Sequence, residues 1–203
     1  MLEVKDPVFR DQLVGDLAPL SPTKFGPVYP DTSLSTDKLT MTSIVNGWGG
    51  ASSAILGLTG KFYAEFTIDT FIDQNVMVGV CDNTFDAEIT KVNQAGCYVW
   101  YATGNIWSGG TVSGPLSIPA ATVSGDIVGI AFDSDTGYFW VSVNGVWGNS
   151  GNPETGANPL LTGYTSGFRF ACSGEKSGAE VTANFGQTAY AYTAPAGFSS
   201  LDG

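Results

Sequence analysis

From about Ser33 onward the chain never runs long without a turn residue. Segments rich in aromatic and β-branched side chains are cut repeatedly by Gly, Asn, Asp and Ser, and glycine alone supplies 27 of the 203 positions. Several of the gaps are too short for a helical crossover between parallel strands, so the rhythm predicts antiparallel sheet. Phe62, Ala64, Phe66 and Ile68 alternate with Tyr63, Glu65, Thr67 and Asp69. A period of two sends the first set to one face of a strand and the second to the other, which describes a half-buried strand. Further strands are expected at residues 76–81, 97–101, 127–132, 138–143, 167–172 and 181–185. With 43% apolar residues the chain can fill a core, and the expected fold class is all-β, two antiparallel sheets packed as a sandwich.

The turns are more sharply written than the strands. Asn144-Gly145 lies between Val141-Ser142-Val143 and Val146-Trp147, and Asn-Gly is the pair that best tolerates positive φ at both centres of a type I′ hairpin. Asp133-Ser134-Asp135-Thr136-Gly137 joins two apolar strands; its Asp side chains can bond nearby amides and Gly137 can take a left-handed conformation. The same run begins like a calcium loop, but the twelfth position, where a bidentate acid belongs, is Asn144. A turn is expected there and no metal. Residues 96–107, Gly-Cys-Tyr-Val-Trp-Tyr-Ala-Thr-Gly-Asn-Ile-Trp, read as strand, glycine turn, strand. No fixed-period repeat is present.

The first 30 residues differ, holding five of the ten prolines, a poor composition for a sheet interior. Phe9, Leu13 and Leu17 stand at helical spacing behind an acidic start. The expected organisation is an N-terminal arm at 1–32, with Phe9, Leu13 and Leu17 as its docking residues, followed by one sandwich at 33–203. The arm either docks on another chain or wraps its own domain. Cys81, Cys97 and Cys172 are widely spaced, without a CxxC pair, and are expected to be reduced core thiols. The opening Met-Leu-Glu-Val-Lys-Asp-Pro has neither the basic nor the apolar region of a secretory leader.

Chemistry is limited by what is missing. The sequence contains no histidine, which excludes Ser-His-Asp and Cys-His catalysis. A formal charge of −11 has the wrong sign for phosphate backbones and for anionic headgroups. Nucleic acid is therefore excluded as a partner, and no apolar run approaches the roughly 20 residues of a membrane span. Glycoside hydrolysis needs two cooperating carboxylates, whereas Glu65 sits at an outward strand position and Glu88, Glu154, Glu175 and Glu180 lie in polar stretches. Lys61, Lys91 and Lys176 stand in no nucleophile motif. The expectation is no enzyme, no cofactor and no metal. Trp48, Trp107 and Tyr164, near glycine-rich loops, are the candidate ligand-binding aromatics.

The order of strand motifs resembles the SPRY domain family. The matching pieces are Gly60-Lys61-Phe62-Tyr63-Ala64-Glu65-Phe66-Thr67-Ile68, Val78-Gly79-Val80, and Gly125-Asp126-Ile127-Val128-Gly129-Ile130-Ala131-Phe132-Asp133. They continue through Asp135-Thr136-Gly137-Tyr138-Phe139-Trp140-Val141-Ser142-Val143-Asn144-Gly145-Val146, then Asn184-Phe185-Gly186-Gln187 and Ala194-Pro195-Ala196-Gly197-Phe198. The resemblance implies a bent, concanavalin-like sandwich used as a binding or scaffolding module, with no catalytic residues to carry over. The glycine-, serine- and threonine-rich style without histidine further resembles SPRY-type modules of bacteriophages. That implies a non-enzymatic virion protein: capsid decoration, head fibre, or tail or fibre component. Its arm would dock on other virion proteins, its loops would meet host-surface glycan or protein, and it would form a homo-oligomer, taken as a trimer. A soluble carbohydrate-binding module and a peptide-binding adaptor are the alternatives.

Overall fold

The computed structural model describes residues 25–28, 30–53, 58–82, 96–109, 111–113, 118–121, 123–165 and 167–202. The predicted helical stretch with Phe9, Leu13 and Leu17 lies outside the described residues. The described residues form fourteen strands: Phe25–Val28 (β1), Thr32–Leu34 (β2), Thr40–Ser43 (β3), Gly49–Ser53 (β4), Lys61–Thr70 (β5), Val76–Asp82 (β6) and Cys97–Tyr101 (β7). The remainder are Asn105–Ser108 (β8), Thr111–Ser113 (β9), Ile127–Asp133 (β10), Tyr138–Val143 (β11), Val146–Trp147 (β12), Phe168–Gly174 (β13) and Glu180–Asn184 (β14). They form two seven-stranded sheets, ordered β1-β4-β13-β6-β7-β8-β9 and β12-β11-β10-β5-β14-β3-β2. The all-β antiparallel sandwich is as expected, and the six further strands read from the sequence fall within a residue or two of their observed bounds.

Between the sheets, alternation does the sorting. Ala64, Phe66 and Ile68 of β5 meet Phe168, Phe170 and Cys172 of β13 in one cluster of buried side chains. Rings dominate it: Phe132 stands edge-on to Phe168 at 4.5 Å and Phe66 to Phe185 at 6.0 Å, a geometry that adds to plain area burial. Both turns adopt the predicted chemistry. Asn144 and Gly145 have φ of 49° and 76°, and Asp133 accepts the amides of Asp135 at 2.9 Å and Thr136 at 3.4 Å.

Three expectations are corrected. β5 is buried on both faces rather than one, since Tyr63 and Glu65 are covered on the side away from the core. The cover is the C-terminal stretch. β14 leaves β5 at Glu65, and beyond that point Ser199 takes its place, accepting the Tyr63 amide at 3.0 Å. The Glu65 carboxylate accepts the amides of Ala191 at 2.7 Å and Tyr192 at 2.9 Å and the Tyr63 hydroxyl at 3.0 Å. Tyr190, Ala194 and Phe198 then pack on Tyr63, Ala131 and Trp140.

Secondly, Phe25–Val28 falls inside the stretch assigned to the arm but pairs with β4 as a sheet edge, and Phe25 is buried against Phe185. Phe25–Val28 is thus a strand of the sandwich. Thirdly, Cys81 and Cys97 are not reduced: they lie directly opposite on β6 and β7, with Cα atoms 4.0 Å apart, and form a disulfide. Cys172 remains a buried free thiol, and burial pushes its pKa up.

Three outcomes follow. Under denaturing, non-reducing conditions a thiol-reactive dye will count one thiol, not three. Because the bond spans a sequence separation of 16, reduction will cost about 3 kcal/mol, read from denaturant melts with and without reductant. Glu65→Ala strands two amides and a buried hydroxyl and will cost about 3 kcal/mol, with hydrogen exchange accelerated at Ala191 and Tyr192 while the β10–β11 amides stay protected.

Candidate functional site

The antiparallel registers bring one set of connections to a common end of the sandwich. There β3, β5, β7, β11 and β13 finish, and β4, β6, β8, β10, β12 and β14 begin. The β3–β4 loop is stitched to the β13–β14 loop: Gly47 N donates to Glu175 O at 2.6 Å, Ser177 N to Asn46 Oδ1 at 3.2 Å, and Gly178 N to Ser43 O at 2.7 Å. Glu175 N in turn donates to Asn75 O at 3.0 Å, tying in the β5–β6 turn. That turn holds Asp73 and Gln74 at φ of 52° and 57°, a left-handed pair without glycine, so part of the cost of its shape is strain. Across the other sheet, Asp126 accepts Val123 N at 3.1 Å and Asn144 Nδ2 at 2.8 Å, and Asn144 Oδ1 accepts Ile127 N at 2.9 Å.

On this braced end stand the large hydrophobic side chains that are exposed among the described residues: Ile44 at 51%, Val45 at 39%, Val123 at 58% and Val146 at 61%. Two belong to the β3–β4 loop, one precedes β10 and one follows the Asn144-Gly145 turn. Each of the four is held in water by a loop that the hydrogen bonds above brace.

Of the sequence-predicted aromatics, Trp48 sits at the edge of this end. Its ring is edge-on to Tyr101 at 5.8 Å, and both rest on Met77, Cys81, Cys97, Val99 and Ala171 on the outer face of the first sheet. Trp107 packs on the same cluster from β8, opposite Val99, with its buried indole Nε1 unpartnered among the described residues. Tyr164 is elsewhere: it packs on the inter-sheet core, 5.2 Å from Tyr98 and 5.6 Å from Phe132, with its hydroxyl donating to Gly167 O at 3.2 Å. The structure therefore brings Trp48 and Trp107 to one face and leaves Tyr164 apart.

Sequence reasoning passed over Ile44, Val45, Tyr101 and Glu175. The signal available was Ile44-Val45, two β-branched residues immediately ahead of Asn46-Gly47, where a turn exposes what precedes it. The buried carboxylates are occupied structurally. Glu65 and Asp126 are bonded as above, and Asp133 adds an ion pair to Lys61 at 3.5 Å. Among the described residues no three His, Cys, Asp or Glu side chains cluster as a metal site, and no helix is long and apolar enough to cross a membrane.

Burial, and next the negative charge of Glu175, raise the pKa of Tyr101. The sign is that of an acid whose folded pKa exceeds its unfolded one. Stability is complete below the ordinary tyrosine range near pH 10 and declines as pH rises through and beyond it. In a spectrophotometric titration Tyr101→Phe will remove one late-titrating phenol, and Glu175→Gln will move that phenol to lower pH without restoring ordinary behaviour.

No protein-family model and no curated protein matches the sequence. Among solved structures, the SPRY domain of human HERC1 superposes with a TM-score of 0.63 at 16% identity, over 81% of this chain and 99% of that domain. A second human SPRY domain gives 0.60 at 16% identity, over 78% of this chain and 98% of its own. The architecture is thus SPRY-like.

Proposed function

We propose that this chain is a non-enzymatic binding module of a bacteriophage virion, a head-decoration, head-fibre or tail-fibre component. In this reading the loop end meets a protein, and residues 1–24, ahead of β1, dock on other virion proteins. The observation that carries the binding role is the exposure of Ile44, Val45, Val123 and Val146 on braced loops that share one end of the sandwich. Its apolar character favours a protein surface over a sugar at that end, since a preorganised apolar tip loses little freedom on association. A SPRY-like fold is compatible with such use, although fold by itself does not assign function. The histidine-free, glycine-rich sequence with its −11 charge supports the virion setting.

The test has two arms. Mass spectrometry and antibody labelling of purified particles from cells encoding the chain will find it in the virion; its absence from particles sinks the virion reading. A chain starting at Phe25, which leaves β1 intact, will fold but fail to incorporate, and light scattering will show the full-length homo-oligomer, expected as a trimer, falling to monomer. Replacing Ile44 and Val45 together with Asp will leave incorporation and melting temperature unchanged while reducing particle adsorption to host cells at least tenfold. Unchanged adsorption removes the loop end from the account.

A further inference from the structure

A concavity lies between the segment that follows β12 and the C-terminal stretch. Its volume is about 300 Å³, and Trp147, Asn152, Pro153, Glu154, Thr193 and Pro195 line it. Both walls are fixed. On one side Asn152 and Ala157 exchange backbone hydrogen bonds at 3.0 Å each, and Trp140 Nε1 donates to Ala157 O at 2.9 Å. Asn149 and Ser150 there hold left-handed φ of 56° and 53°. On the other side, Ala196 N donates to Glu154 Oε1 at 3.0 Å, latching the C-terminal stretch across the cleft.

The lining divides by chemistry. Pro153 and Pro195 are buried and Trp147 is half-buried, packed on the Tyr63–Ala131–Trp140 cluster, so the base is apolar and flat-sided. Asn152, Glu154 and Thr193 are exposed and form a polar rim. Among the described residues, the Trp147 indole N–H, the Asn152 amide NH₂, the Thr193 hydroxyl and the second Glu154 oxygen have no partner. Three donors and a carboxylate acceptor therefore surround an aromatic and pyrrolidine base.

We propose that this cleft is a binding site for one ring of a neutral saccharide. A pyranose matches it group by group: its C–H face stacks on indole and pyrrolidine, and its equatorial hydroxyls both donate to Glu154 and accept from Asn152 and Thr193. The volume sits at the small end of the roughly 300–1,000 Å³ typical of small-molecule sites, which suits a single sugar ring better than an extended chain. An acidic sugar or a phosphate is disfavoured by Glu154 and by the −11 charge of the chain. The site includes none of Trp48, Trp107 and Tyr164, and its proposed ligand does not depend on the docking surface proposed above.

The experiment uses the full chain on an array of neutral and sialylated glycans, followed by calorimetric titration and saturation-transfer NMR with methyl glycosides of glucose, galactose, mannose and N-acetylglucosamine. At least one neutral glycan is expected to bind. Glu154→Gln, which keeps an acceptor for the Ala196 amide, should weaken it at least tenfold, and Thr193→Val severalfold. Trp147→Ala should abolish it; if that variant fails to fold, Glu154→Gln decides. Trp48→Phe and Trp107→Phe should leave affinity unchanged. The proposal is overturned if no neutral glycan binds, if sialylated glycans bind in preference, if binding survives Glu154→Gln at full strength, or if it is lost in the Trp48 or Trp107 variants.

Discussion

Glu65 occupies the middle of β5, on the face turned away from the core, and a carboxylate on a central strand must either stay in water or find enough donors to replace it. Here the backbone amides of Ala191 and Tyr192 and the hydroxyl of Tyr63 do the replacing. Those bonds hold the last stretch of chain against the second sheet, and the Tyr190 hydroxyl adds a bond to Tyr63 O at 2.9 Å. Burial and the adjacent Glu65 charge push both phenols well above the usual tyrosine range, so they remain donors at any physiological pH. Much else follows from the clamp: with Tyr63, Ala131 and Trp140 roofed by Tyr190, Ala194 and Phe198, an apolar outer face is closed, and the C-terminal stretch becomes one wall of the Trp147 cleft.

Legibility followed chemical contrast. β5, β7, β10 and β11 announce themselves because their side chains alternate or are uniformly apolar and their turns contain Asp, Asn and Gly where positive φ or an amide acceptor is needed. β4 offered no such contrast. Gly49-Gly50-Ala51-Ser52-Ser53 has no large side chain, yet all five residues are buried, because smallness is what its place requires. A Cβ at Gly49 would collide with Thr32 Oγ1, while Ser53 Oγ accepts the Phe170 amide at 3.2 Å and Ser52 Oγ accepts from Arg169 Nη1 at 3.3 Å. Serine hydroxyls turned toward a neighbouring strand read in sequence as a loop.

The other departures share a cause: each depends on which strands become neighbours. The Cys81–Cys97 bond follows from β6 pairing with β7 in a register that sets those two residues opposite each other, which a count of cysteines cannot reveal. Phe25 is drawn into the core by β4, although Pro27 and Pro30 nearby suggested a chain outside the sheets; an edge strand such as β1 tolerates a proline that an inner strand would not. Tyr164, beside a glycine, looked exposed, and tertiary packing against Tyr98 and Phe132 withdrew its ring.

The exposed apolar residues and the Trp147 cleft are stiffened by the same device, side-chain oxygens that accept backbone amides in their own or an adjacent loop. Asn46, Asp126 and Ser124 serve the loop end at 3.2, 3.1 and 2.9 Å, and Asn152 and Glu154 serve the cleft at 3.2 and 3.0 Å. Such bonds spend polar groups on order rather than on chemistry, which agrees with a chain lacking histidine and with its buried acids already satisfied. A loop so ordered has little conformational entropy left to lose. The strong negative charge opposes self-association of the apolar tips by keeping molecules apart at long range.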